Sequence, residues 1–291
     1  MEAVSAVKMR KSEKIAIDSR PYALSGLEML KHLLASSHLH HESLFSPLMK
    51  KHKTGPRCFL VISSDKGLAG SFNSNVIKET LKIIKDKNFD PKEIEFITVG
   101  KKATEGLRRR GFNIIKSFTG AGDFTTIEEI TEINNFIKGE FERGKWRSVR
   151  IIYTNFVSAL KQEVNTRKIL PFHTHTFEEI VGEILPKKGR YANIPNYLSD
   201  FPTKDTSYIF EPNANEIINN LLPELLMVEI YHTILEANAS EHSSRMIAMK
   251  NASKSASDLI ENLTIEFNKG RQASITKELL EITAGKEALN N

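Results

Sequence analysis

The chain has 291 residues, 40% of them hydrophobic and 26% charged, with a net charge of +5 and a pI near 9.1. That is the composition of an ordinary globular protein and excludes a low-complexity or fibrous one. No apolar run approaches the ~20 residues that cross a bilayer, no apolar stretch of a secretory signal follows the charged N-terminus, and a single cysteine, Cys58, excludes an internal disulfide.

Residues 1–57 form the first part. Ala23, Leu27, Leu30 and Leu34 keep a 3–4 spacing, which predicts a helix from Met1 to about Leu34. A loop rich in His, Lys, Ser and Pro follows, from about Ser36 to Arg57. This part holds ten Lys/Arg against five Asp/Glu and so accounts for the whole net charge. A basic end suits an acidic protein surface, anionic lipid or nucleic acid, although a solvated helix face explains the charge as well.

Residues 58–212 alternate strand and helix signals. Cys58-Phe-Leu-Val-Ile-Ser63 reads as a buried strand, and Val76–Lys85 as a helix with Ile77, Leu81 and Ile84 on one face. Phe96–Val99 is a strand ended by Gly100, Lys101–Arg110 a helix closed by Gly111, and Asn113–Phe118 a strand. Thr126–Phe141 is a helix facing inward with Ile130, Ile133 and Ile137; Val149–Phe156 and Val164–Phe172 are strands. The stretch 173–206, with Pro186, Pro195 and Pro202, is irregular. This alternation predicts a Rossmann-like α/β domain with a mostly parallel sheet.

Residues 213–291 contain no convincing stop. Asn213 and Glu216 have the spacing of a capping box, and Pro223 marks a kink or a first turn. One stripe then runs Leu225, Val228, Tyr231, Leu235, Ala239, His242, Met246, Met249, Ala252, Ala256, Ile260, Leu263 and Phe267, always in steps of three or four. A single helix over Asn213–Leu289 would reach ~115 Å at 1.5 Å per residue. A helix that long needs a partner for its stripe, and the N-terminal helix is the candidate within this chain. The fold class predicted is therefore α/β with a long antiparallel coiled coil of the two end helices.

Little in the chain points to catalysis. Gly67-Leu-Ala-Gly70-Ser-Phe-Asn-Ser-Asn75 lies between a strand and a helix, where phosphate loops sit, but it lacks Gly-Lys-Ser/Thr and the GxGxxG spacing. It reads as a tight turn whose Asn or Ser caps the next helix. His38, His40, His41 and His52 crowd one loop and His173 and His175 another, without Cys or acid at zinc-site intervals. No nucleophile–base arrangement can be placed, so the reading assigns no catalytic residue, metal or cofactor. From the residues alone, a small α/β nucleotide-binding protein with a coiled-coil appendage and a basic coiled-coil scaffold or nucleic-acid binder both stay open.

Four segments together carry a resemblance. Ser240-Glu-His-Ser-Ser-Arg-Met-Ile-Ala-Met249 followed by Arg271-Gln-Ala-Ser-Ile-Thr-Lys-Glu-Leu-Leu-Glu-Ile282 resembles the C-terminal signature of ATP synthase gamma subunits. Ser64–Asn75 resembles that family's loop after the first strand, and Met1–Met9 with Ser19–Ala23 its N-terminal helix. The matches keep the family's order along nearly the whole chain. Two departures stand out: the family has some twenty more residues before the match to Met1, and Lys286 places a charge where the family has a methyl group. With one cysteine, the thiol switch of chloroplast members is not expected.

The resemblance implies a central-stalk rotor subunit. It would couple proton-driven rotation of a c-ring to ATP synthesis at alpha/beta sites and have no catalytic site of its own. The implied partners are the alpha and beta subunits, the epsilon subunit and the c-ring, with no nucleic acid. The implied place is peripheral, on the cytoplasmic face of a bacterial inner membrane rather than the mitochondrial matrix side. Carried over residue by residue, Met1, Lys8, Arg245, Arg271, Gln272 and Thr276 would touch a beta subunit, and Tyr208 and Glu211 the c-ring or epsilon.

Overall fold

A computed structural model of the chain describes residues 1–18, 21, 25, 46–120, 125, 127–172 and 211–290. The rest of the predicted N-terminal helix to Leu34, His38, His40, His41, the stretch 173–206 with His173 and His175, and Tyr208 lie outside the described residues. The chain divides into two compact units, Met1–Met246 and Ile247–Asn291.

Within the first unit, the helices are α1 (Glu2–Asp18), α2 (Phe72–Asp86), α3 (Lys101–Arg108) and α4 (Ile127–Glu142), and the strands are β1 (Arg57–Ile62), β2 (Ile94–Val99), β3 (Ile114–Phe118), β4 (Ser148–Ser158) and β5 (Lys161–Leu170). The strand order is β3-β2-β1-β4-β5. All neighbours are parallel except β4 and β5, an antiparallel hairpin closed by Ala159 and Leu160. The mostly parallel sheet expected from the βα alternation is present, and each of the five strands read from the sequence is found.

Period-two alternation sends side chains to two faces. Cys58, Leu60 and Ile62 of β1 join one core with Ile130, Ile133, Ile137 and Phe141 of α4. Phe59 and Val61 join the other with Val76, Ile83 and Ile84 of α2 and Ala103 and Leu107 of α3. The sheet is thus sandwiched between helical layers, which is why β1 reads as an unbroken apolar run. His52 stands edge-on to Phe141, with ring centroids 5.0 Å apart. Among the described residues no cluster of three His, Cys, Asp or Glu could hold a metal, and no helix is long and apolar enough to cross a membrane.

The last helix, α5, runs from Ala214 to Asn290, 77 residues. Its start has the expected N-cap: Asn213 Oδ1 accepts the Glu216 N–H at 2.9 Å, and the Glu216 carboxylate, in place of the backbone N–H of a full capping box, accepts the Asn213 side-chain amide at 3.3 Å. Pro223 lies inside the helix instead of opening it. Its ring removes the bond to the carbonyl of Asn219, which is exposed and open to water. The Pro223 carbonyl receives the Asn134 amide at 3.4 Å.

Two stripes of α5 are buried in the first unit, where the sequence pattern showed one. Ile218, Leu222, Leu226, Ile230, Ile234 and Ala237 enter the sheet core. Leu235, Ala239 and His242 of the anticipated stripe are buried as well. On α1 the buried positions are Ser5, Met9 and Ser12, spaced four and three apart. α1 is described over 17 residues, and Pro21 and Ser25 beyond it are helical too; the remainder of the expected bracing helix lies outside the described residues. In the second unit, from Lys250 to Lys286, every residue of α5 is exposed, including Ile260 at 64%, Leu263 at 53% and Phe267 at 70%.

Candidate functional site at the switch point of the sheet

Strand order reverses between β1 and β4, and in open α/β sheets ligands enter the crevice beyond the carboxyl ends of such strands. The loop after β1 forms one wall. Ser63 donates its N–H to the Val99 carbonyl at 2.8 Å, while its hydroxyl accepts the Ala103 N–H at 2.8 Å. Gly100 must approach this backbone closely: its φ is +92°, and a Cβ there would lie 2.2 Å from the Ser63 carbonyl oxygen. Asp65 accepts the N–H groups of Lys101 at 3.0 Å and Gly120 at 2.8 Å, so one carboxylate joins the loops after β1, β2 and β3. It sits at the first turn of α3, where the helix dipole favours an anion.

The sequence expectation that an Asn or Ser of this loop caps α2 is corrected. Ser71 occupies the N-cap, but its hydroxyl caps no backbone N–H of the helix and instead accepts the Asn75 side-chain amide at 3.1 Å. Asn73 turns back instead: its Oδ1 accepts the Ser64 N–H at 3.0 Å, and its Nδ2 donates to the Ser64 hydroxyl at 2.7 Å. Ser64 in turn donates to the Lys66 carbonyl at 2.6 Å. These bonds fix the loop with the carbonyls of Lys66 and Gly67 turned to a cation. A phosphate cradle needs the opposite polarity, backbone N–H groups turned to the ligand.

The cation is Arg245 of α5. Its Nη2 donates to Gly67 at 3.2 Å, to Lys66 at 3.4 Å and to Glu241 Oε1 at 2.6 Å, and its Nε donates to Gly67 at 3.3 Å. Its side chain is 11% exposed and that of Glu241 7%. The other wall is the β4–β5 hairpin, which overhangs β1: the β1–β4 pairing ends at Val61 and Ile152, and β4 continues to Ser158. Ser240 donates to the Thr154 carbonyl at 3.2 Å, Ser243 to the Ala159 carbonyl at 2.6 Å and Ser244 to Gln162 at 3.0 Å. The crevice that receives a ligand in many α/β proteins is filled here by the chain's own helix. Ala237, Ala239, Ser240 and Ser243, each 0–1% exposed, are small enough for that close approach.

About three turns earlier on α5 than Ser240, Glu229 is hydrogen-bonded to Arg167 of β5, whose Nη2 donates to the Tyr153 hydroxyl at 3.0 Å. Burial opposes the Arg167 charge, but Glu229, Tyr153 and Glu236 together outweigh it and hold the guanidinium pKa above its ordinary value. Burial, reinforced by the Glu236 charge, pushes the Tyr153 hydroxyl well up, so it stays protonated. Arg167 and Glu229 are 5% and 3% exposed and form a paired charge inside the domain.

The described residues expected to touch partners lie on several elements. Met1 is 78% exposed and Lys8 half-buried on α1, and Glu211 is exposed just before α5. Arg271, Gln272 and Thr276 lie in the exposed half of α5, where the Thr276 hydroxyl is bonded to the Gln272 carbonyl at 2.9 Å. Arg245 belongs to a built site, and that site is made from its own chain. Sequence reasoning missed Glu229, Arg167, Tyr153 and Glu241, because a carboxylate on a helix or a cation on an edge strand reads as solvated until its partner is known. The one available signal was Ser240–Arg245, polar residues that break the apolar pattern in the middle of α5.

The comparisons with known proteins agree with this architecture. A family model described as ATP synthase matches residues 1–289. The chain is 35% identical over 289 residues to the ATP synthase gamma chain of Pelotomaculum thermopropionicum, covering 99% of this chain and 92% of that one. It is similar in fold to a chain of the Tetrahymena thermophila mitochondrial ATP synthase central stalk and c-ring structure, with TM-score 0.58 and 22% identity over 87% of this chain and 97% of that one. A chain of the Euglena gracilis mitochondrial ATP synthase gives TM-score 0.58 and 15% identity over 99% and 94%. With a family match over nearly its whole length and a relative at 35% identity, the chain belongs to the ATP synthase gamma-chain family.

Proposed function

We propose that this chain is the rotor subunit of a rotary ATP synthase, transmitting rotation of a c-ring to the alpha and beta subunits while holding no catalytic site itself. One observation carries the reading: from Lys250 to Lys286 α5 is exposed all round yet keeps Leu259, Ile260, Leu263, Phe267, Ile275 and Leu279. A contiguous apolar surface of that kind marks a macromolecular partner. An asymmetric helix inside a ring of alpha and beta subunits would present different side chains to each beta subunit. Each beta conformation is favoured only by the difference in contact energy that the helix supplies, and turning the helix moves that bias around the ring.

In this proposal residues 1–57 and 213–291 supply the shaft and 58–212 the foot. Arg271, Gln272 and Thr276 contact a beta subunit from the exposed half of α5, and Met1 and Lys8 do so from α1. Tyr208 and Glu211 belong to the face toward the c-ring and epsilon. Arg245 was expected to join the beta contacts, but its Nε and Nη2 are already engaged by Glu241, Lys66 and Gly67, and its Nη1 stands 3.4 Å from His242 Nδ1. The beta interface is therefore assigned to the other five. The complex would place the chain peripherally on the cytoplasmic face of a bacterial inner membrane. The nucleotide-binding alternative is disfavoured by the carbonyls that line the loop after β1.

The test is Arg271→Ala with Gln272→Ala. The isolated double variant should melt within ~0.5 kcal/mol of the parent, as exposed substitutions do, whereas ATP synthesis by the reconstituted complex should fall. Parental rates of synthesis and hydrolysis in the double variant would refute the assignment. Failure of the parent chain to co-purify with alpha and beta subunits would refute the function itself.

A further inference from the structure

Among the described residues, the polar ties of α5 to other elements end at Arg245. Ser240, Ser243, Ser244 and Arg245 all bond to other elements. Beyond Arg245, among the described residues, the hydrogen bonds and ion pair of α5 stay within the helix: those of Ser257, Thr264, Thr276 and Thr283, and the Lys277–Glu281 pair. Along α5, a turning force from the α/β domain enters through these ties and the packing around them.

We propose that Arg245, oriented by Glu241 and gripping the carbonyls of Lys66 and Gly67, is the positioning residue that transmits torque between the domain and the helix. The proposal rests on the central-stalk reading and adds to it the place where the load is carried. Apolar packing is non-directional and gives little resistance to slight rotation of a helix about its axis. A planar guanidinium with donors in fixed directions resists such rotation, because each bond has an angular optimum. The loop it grips is not free to follow. Ser64 and Asn73 fix its backbone, and Asp65 ties it to the starts of the segments after β2 and β3.

The hairpin ties complete the joint. At ~100° per residue, Ser240, Ser243 and Ser244 face one side of α5, and Glu241 and Arg245 a side roughly 120° away. Rotation in either sense therefore loads one contact or the other. The loop that occupies the phosphate-loop position in the sequence serves as a clamp on a cation of its own chain.

The experiment uses the full complex reconstituted in vesicles and reads protons pumped per ATP hydrolysed. Arg245→Ala should lower that ratio at least fivefold. Arg245→Lys, which keeps the charge but loses the planar fork, should fall in between. A parental ratio in Arg245→Ala overturns the proposal. A pair of variants removes folding as an explanation. In Gly67→Cys with Arg245→Cys, a short bismaleimide bridge should raise the ratio severalfold over the same protein unbridged. Gly67 has room for a side chain, with nothing within 4 Å of an added Cβ. Equal ratios with and without the bridge overturn the proposal. If the parent chain itself fails to assemble with alpha and beta subunits, the central-stalk reading falls. If the parent assembles and pumps while Arg245→Ala matches it, only the clasp falls.

Discussion

The two halves of α5 are one continuous helix under opposite conditions. Up to about Arg245 it is buried on two faces, with Ile218, Leu222, Leu226, Ile230 and Ile234 all at 0% exposure. From Lys250 onward its leucines, isoleucines and phenylalanine stand open to solvent. Both halves carry apolar residues at helical spacing, so periodicity does not separate them. The difference is what stands opposite: a sheet and a hairpin in the first case, nothing from the described chain in the second. The first half is held by tertiary packing. The second continues a helix already nucleated, which requires only propagation. Stability should therefore reside in the first half, and contact with other proteins in the second.

The largest effect should follow from Glu229→Ala. It strips the partner from a buried guanidinium and should cost ~3–5 kcal/mol in urea denaturation of the isolated chain. A loss below ~1 kcal/mol would mean that the Arg167 pair is not part of what holds α5 to the sheet. Ile230→Ala, at a fully buried position, should cost ~2–5 kcal/mol through lost transfer energy and a cavity.

Cys58 gives an independent readout of the same opening. Burial, then the nearby Glu95 charge, push its thiol pKa well above the ordinary value, so alkylation requires unfolding of the domain. Both substitutions should accelerate alkylation by about the factor expected from the measured loss of stability. Fast alkylation of the parent protein would contradict this placement of the strand.

Substitutions in the distal half should behave differently. Leu263→Ala, at a residue already 53% exposed, should change stability by less than ~0.5 kcal/mol and leave Cys58 alkylation unchanged. Its effect should appear in co-purification with alpha and beta subunits. A cost of several kcal/mol in the isolated chain would show that something in this chain covers that face. The smallest effect is expected at the exposed Lys277–Glu281 pair, one turn apart at 3.8 Å. Glu281→Gln should lower helicity by circular dichroism only slightly, within ~0.5 kcal/mol, and the difference should vanish in high salt.

The sheet was legible because buried parallel strands must be apolar on both faces, and Cys58–Ile62 satisfies that requirement in five letters. The N-cap at Asn213 and Glu216 was legible because both partners are local. The clasp was not. Arg245 and Gly67 are 178 positions apart, and no spacing rule pairs an arginine with carbonyls at that distance. The cap expected from an Asn or Ser of this loop failed for the same reason: a cap is a local bond, and the Asn73–Ser64 contact depends on how the loop folds back.

By itself, then, the amino-acid order determined the element types, the mostly parallel sheet, the length of the last helix and the family signature, all consequences of periodicity and short-range bonding. Only the tertiary structure decided that the switch-point crevice holds the chain's own helix, that Glu229 and Arg167 are a buried pair, and that Arg245 faces inward. Those outcomes depend on which distant groups meet in a low-dielectric space, where an unpaired charge is costly and a paired one is retained.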